Sequence, residues 1–156
     1  MGSYAKRFLP QESSKPLMLG GIIIPDHEGL LDVTDGDVIL QSLCQSLGSL
    51  GPYRHFLQLS TDLIEKDGIT DSVVFLERSL PFLKGLKISG VCFCLEFKKP
   101  PLLDFFDKIQ DNIARLLKIP KEHVALSINE SSGLTDISCG DGIASVCTLS
   151  LETPVN

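Results

Sequence analysis

Gly29-Leu30-Leu31-Asp32-Val33-Thr34-Asp35-Gly36-Asp37-Val38-Ile39-Leu40-Gln41-Ser42 is the stretch on which the reading of this chain turns. Asp35 or Asp37 can cap a helix, because a carboxylate there accepts from the unpaired N–H groups that open it. Leu40, Leu43, Leu47 and Leu50 then recur at helical spacing and form one apolar stripe, and Pro52 ends the helix. Upstream, the apolar run Leu17–Pro25 is interrupted by Gly20-Gly21, which reads as two strands or one strand with a bulge. Residues 1–16 read as irregular.

Downstream, residues 53–70 read as a mixed connector with a short helix around Leu59–Lys66. Asp71 or Ser72 caps a second helix that buries Val73, Leu76, Leu80 and Leu83, with Pro81 marking an end or kink. Ile88–Phe97 is rich in β-formers and reads as a central strand. Pro100-Pro101 starts a third helix with the stripe Ile109, Ile113, Leu116 and Leu117, which Pro120 stops. Val124–Ile128 and Ile143–Leu151 are the remaining strands. Alternating helices and strands without a Gly-rich phosphate loop predict an α+β fold. The expected form is a two-layer sandwich, a small mixed sheet with helices packed on one face, in a single domain over 1–156.

A chain of 156 residues buries roughly two-thirds of its unfolded surface, enough for a core. Net charge is −6 with no basic run, so nucleic acid is not an expected partner. No apolar stretch reaches the ~18 residues of a membrane span, and the N-terminus lacks a secretory pattern, so the expected location is cytoplasmic. The five cysteines, Cys44, Cys92, Cys94, Cys139 and Cys147, are odd in number and expected to be reduced. Cys92 and Cys94 have strand spacing and read as small buried hydrophobes; no further ligands accompany them. His27, His55 and His123 are scattered near turn signals and read as exposed loop residues.

The quoted stretch resembles the G-L-L-x-H-S-D-G-D-V-x-x-H-A signature of the 2-C-methyl-D-erythritol 2,4-cyclodiphosphate synthase family, with Val33 and Gln41 where that signature has histidines. The resemblance runs along the chain. Arg7-Phe8-Leu9-Pro10, Leu19-Gly20-Gly21-Ile22-Ile23, Gly68-Ile69-Thr70-Asp71-Ser72, Glu96-Phe97-Lys98-Lys99-Pro100 with Leu102-Leu103, Gly133-Leu134-Thr135 and Gly140-Asp141-Gly142-Ile143 follow the family's order and spacing. It implies the same α+β fold as a homotrimer with sites between protomers. The implied activity is that of a phosphorus-oxygen lyase in the non-mevalonate route to isoprenoids. Such an enzyme turns 4-diphosphocytidyl-methylerythritol 2-phosphate into a cyclic diphosphate and CMP. Members usually carry a few more N-terminal residues, so either the start lies upstream or this edge has eroded.

Carried over residue by residue, the resemblance implies a lost site. The zinc ligands of the family, Asp-x-His and a helix His, fall on Tyr4, Lys6 and Gln41. Zinc takes lone-pair donors at about 2 Å, which a protonated lysine cannot provide. Val33 stands for the histidine thought to steady the diphosphate, and Thr34 keeps a hydroxyl. Asp35 and Asp37 are retained, as helix caps will also explain. The family's second metal, magnesium or manganese, is held by a Glu whose place here is Ser132; Glu130 is the weak substitute, and Ser131 and Ser132 can donate hydrogen bonds. The family's Pro-Lys falls on Pro100-Pro101, leaving Lys98 or Lys99 to replace the cation. At the trimer axis Cys139-Gly140-Asp141-Gly142 lacks the family's arginine and reads as a turn into the last strand.

The reaction gathers negative charge that metals must neutralise. The reading is therefore a catalytically degenerate homologue needing no cofactor, a homotrimer or a mixed trimer with an intact paralogue. The alternatives are an active divergent synthase using Glu130, Asp32 or His55, and a non-enzymatic scaffold.

Overall fold

The computed structural model describes residues 1–153; the expected domain limit at residue 156 lies outside the described residues. Four strands form the main sheet: β1 (Gly2–Arg7), β4 (Lys87–Glu96), β5 (Val124–Ile128) and β6 (Gly142–Glu152). Their order is β1-β6-β4-β5. β6 pairs antiparallel with β1 and β4, while β4 and β5 are parallel, so the sheet is mixed. A separate hairpin is made by β2 (Pro16–Leu19) and β3 (Ile22–Glu28). The helices are α1 (Val38–Gly48), α2 (Tyr53–Thr61), α3 (Ser72–Ser79), α4 (Leu103–Leu117) and the short α5 (Asp136–Cys139). A π-helical turn, Asp62–Lys66, extends α2, and 3₁₀ turns follow at Leu80–Leu83 and Lys121–His123. This is the expected α+β sandwich with helices on one face.

The alternation of β4 decides which face they cover. Val91, Phe93 and Leu95 are buried, and Val124, Ile143 and Cys147 join them from the neighbouring strands. α1 lies against β1 and β6, with Leu40, Leu43 and Leu47 wholly buried. Two hydroxyl contacts hold it there: Ser42 Oγ lies 2.9 Å from Ser145 Oγ, and Ser46 Oγ donates to the carbonyl of Cys147 at 3.0 Å. α4 buries Ile109 and Ile113, while Leu116 and Leu117 are only half-buried at its end.

Several expectations are corrected. Residues 1–16 are not all irregular, since Gly2–Arg7 is an edge strand in register with β6. Its residues Gly-Ser-Tyr-Ala-Lys-Arg show no apolar alternation, because only Gly2, Tyr4 and Lys6 face the core side. Leu17–Pro25 divides into two strands, and the connector 53–70 carries nine residues of helix plus the π turn. In α3 the core is reached by Phe75 and Leu76, leaving Val73, Leu80 and Leu83 partly covered. Cys92 is exposed and Cys94 half-exposed, for they alternate with Val91, Phe93 and Leu95 on the opposite sheet face. His27 lies on β3, half-buried 4.5 Å from the Phe8 ring; His55 and His123 are exposed but stand in α2 and a 3₁₀ turn.

Candidate functional site

Asp37 anchors the site. Its side chain caps α1 by accepting from the N–H groups of Ile39 (3.1 Å) and Leu40 (2.9 Å). It also accepts from Gly20 (2.9 Å) and Gly21 (2.6 Å) at the tip of the β2–β3 hairpin. Both glycines have positive φ, +62° and +77°, where L side chains are strained. Burial pushes the Asp37 carboxyl up to about 6, with backbone N–H groups pulling the other way and Asp35 pushing further up.

Asp35 does not cap the helix that follows it. It accepts from the N–H and the hydroxyl of Ser72, fixing the start of α3. Asp71 is the cap of α3, accepting from Val73 at 2.8 Å. Gln41, buried to 5% exposure, donates its amide to Ser72 Oγ at 3.0 Å and closes this link between α1 and α3.

On the other side of the loop, Asp32 gathers Tyr4 and Lys6. The Tyr4 hydroxyl donates to Asp32 Oδ2 at 2.8 Å, and Lys6 Nζ lies 3.2 Å from the same oxygen. Thr34 N–H donates to Oδ1 at 3.0 Å. Burial pushes Asp32 up, but Thr34, Tyr4 and Lys6 together outweigh it and hold the carboxyl below its ordinary value. Burial and the Asp32 contact raise the Tyr4 phenol. Sequence reading missed Lys15, whose ammonium donates to the carbonyls of Leu30 (3.0 Å), Asp32 (3.0 Å) and Thr34 (2.6 Å). No local motif announces it, because its three acceptors lie across a hairpin.

Seven of the predicted residues line two cavities, while Lys6, Asp35 and Asp37 line neither. Tyr4, Val33, Thr34 and Gln41 line one cavity of about 340 Å³. Glu130, Ser131 and Ser132 line another of about 390 Å³ beside Lys98 and Cys139, and the two share no lining residue. Lys98 also borders a cavity with Pro100, Pro101 and Glu130, whereas Lys99 turns to Glu28 at 3.7 Å and to the Phe8 ring. Asp141 receives Arg7 at 3.3 Å, and Asp136 receives it at 2.5 Å, so the turn before β6 is tied to β1. Gly140 closes α5 with φ +105°, as a turn into the last strand requires.

A family model described as the YgbB family matches residues 2–152. The chain belongs to the YgbB family. It is 33% identical to a 2-C-methyl-D-erythritol 2,4-cyclodiphosphate synthase of Chlamydia trachomatis serovar L2b (strain UCH-1/proctitis), over 97% of this chain and 85% of that one. A solved 2C-methyl-D-erythritol-2,4-cyclodiphosphate synthase structure superposes with TM-score 0.77 at 25% identity, covering 97% of both chains. The Plasmodium vivax structure of that name has TM-score 0.76 at 21% identity, over 99% of this chain and 96% of the other.

For this YgbB-family member the donor chemistry can be tested against zinc. A tetrahedral centre asks for four lone-pair donors. Among the described residues no three His, Cys, Asp or Glu side chains gather into a metal-holding group. Where the resemblance implies a first histidine, an ammonium stands, already paired with Asp32 at 3.2 Å. These residues do not fit zinc.

Proposed function

We propose that this chain is a catalytically degenerate homologue of 2-C-methyl-D-erythritol 2,4-cyclodiphosphate synthase, one domain over 1–156 that keeps the fold and lacks the metal-dependent step. Lys6 at 3.2 Å from Asp32 Oδ2, with Tyr4 on the same oxygen, carries this reading. A cation built into the chain replaces the place for a metal ion, and without metals nothing neutralises a diphosphate attacked by a second phosphate. Val33 and Gln41 add no cation, and Glu130 with Ser131 and Ser132 stands at a separate cavity. Thr34, Asp35 and Asp37 act as remnants of the pocket that now serve folding. The chain works in the cytoplasm of an isoprenoid-making cell.

A homotrimer is part of the same proposal. The sheet face turned from the helices carries Cys92, Val146, Thr148 and Ala125, small side chains that leave a broad surface uncovered. Packing three such faces together brings separate half-sites of neighbouring protomers into contact, and an intact paralogue could take one place in the assembly.

The test is CMP release from 4-diphosphocytidyl-methylerythritol 2-phosphate with zinc and magnesium present, beside an intact synthase and a mock purification. Release no higher than the mock is expected. Turnover within about a hundredfold of the intact enzyme, some 2.7 kcal/mol of barrier, would sink the reading.

A further inference from the structure

We propose that His27 is a pH-sensitive latch between β3 and the segment 97–102 that leads from β4 into α4. On gaining its second proton the ring takes Glu28 from Lys99, and the segment is released. The inference is independent of the metal chemistry, because His27, Glu28, Phe8 and Lys99 line none of the cavities of the predicted site residues.

One carboxylate serves two basic side chains. Glu28 Oε2 lies 3.4 Å from His27 Nδ1, and Oε1 lies 3.7 Å from Lys99 Nζ. The Phe8 ring stands between the two, its centroid 4.5 Å from that of His27 and 5.3 Å from Lys99 Nζ. The His27 and Glu28 side chains are 11% and 13% exposed and that of Lys99 is 49% exposed, so the imidazolium is the less screened partner. Nδ1 also lies 3.0 Å from the Glu28 carbonyl oxygen. Both of its neighbours are acceptors, so Nδ1 carries the hydrogen of the neutral ring and the second proton goes to Nε2. Protonation makes the Nδ1–H bond to Oε2 charge-assisted and sets a like charge against Lys99 across Phe8.

The hairpin can yield at this point. Leu17 pairs with Ile24 and Pro16 with Glu28, so Pro25, Asp26 and His27 have no partner across the ladder, and Asp26 holds φ +57°. The His27 ring lines a cavity of about 520 Å³ with Gln11, Ser14 and Asp26. The charged groups around it are Asp26 and Glu28 on β3 itself, Lys15 from before β2, and Lys99 beyond Phe8. The Lys15 ammonium is held by the carbonyls of Leu30, Asp32 and Thr34. α4 meets the hairpin at its Gly20-Gly21 tip through Ile109 and Asn112, neither of which carries a charge.

The test is side-chain NMR of the full-length chain, ¹⁵N-labelled at lysine and histidine, between pH 8 and 5, where an ordinary imidazole titrates. The Lys99 Nζ signal, assigned by its loss in Lys99→Met, is expected to move toward that of an unpaired lysine as His27 takes its proton. The paired fraction should fall about threefold. His27→Gln removes the switch and Glu28→Gln the shared carboxylate, and in each the movement is expected to vanish. A Lys99 signal that stays in place while His27 titrates overturns the proposal. So does movement that survives in either variant, which would assign it to the titration of another group. Should one variant lose its dispersed spectrum, the other supplies the same comparison.

Discussion

Asp32 and Asp37 sit five positions apart and carry opposite burdens. Asp32 is held below its ordinary value of 3.8: burial pushes it up, but the hydrogen bonds from Thr34 and Tyr4 and the Lys6 charge prevail. A depressed folded value stabilises above the unfolded one and is lost as pH falls below 3.8 toward the folded value. Asp37 is raised to about 6, chiefly by burial. Between 3.8 and about 6 the folded chain keeps a proton that the unfolded chain has released, so this group lowers stability as pH rises through that window. Urea unfolding across pH should separate them. Asp32→Asn should flatten the loss of stability below about pH 4, and Asp37→Asn should flatten the fall between about 4 and 6. Asp37→Ala removes the α1 cap and strands the Gly20 and Gly21 N–H groups, a loss of about 2–4 kcal/mol readable in the same experiment. The capping of α1 was legible in the sequence, because a cap is a local contact. That Asp35 serves α3 through Ser72, and that Asp32 collects Tyr4 and Lys6, was not, since those partners lie 37, 28 and 26 positions away.

Among the elements, β1 and the loop before α1 depend on close approach and on one ammonium. A Cβ on Gly2 would stand 2.2 Å from the Ser42 carbonyl oxygen, so the start of β1 can lie this close to α1 only without a side chain. Gly2→Ala should push the strand from the helix and lower stability by about 1–3 kcal/mol, seen as a fall in Tm. Lys15 holds the loop carbonyls of Leu30, Asp32 and Thr34. Lys15→Met removes three hydrogen bonds at once, and amide exchange across residues 31–36 should quicken by about tenfold or more while α4 is unchanged. Both features explain why this region was half legible. The strong 3.6-residue period of α1 announces itself. An edge strand that turns glycine, tyrosine and lysine toward the core shows no period, because its inner face is set by proximity and charge rather than by hydrophobicity.

At the scale of the molecule, the cysteines report on assembly. Cys44 and Cys147 are buried, and burial pushes both thiols up to about 12, so neither should react with an alkylating reagent in the native chain. Cys92 and Cys139 are exposed in one protomer. Light scattering should give three times 17.0 kDa. Alkylation should then modify Cys139 readily and Cys92 slowly, because Cys92 lies on the sheet face that three protomers would share. A 17.0 kDa particle with rapid Cys92 labelling would contradict the trimer.

The α+β class, the helices α1, α3 and α4, the strands β4 to β6 and the ordered family spacing are legible in the chain alone, because all of them rest on periodicity and local turn chemistry. The edge strand β1, the outward face of Cys92 and Cys94, and the Lys6–Asp32–Tyr4 and Lys15 contacts emerge only in the folded chain. The physical reason is range. Caps and stripes act within a turn or two of the chain, whereas burial, charge pairing and sheet sidedness are settled by residues that meet only after the chain has folded.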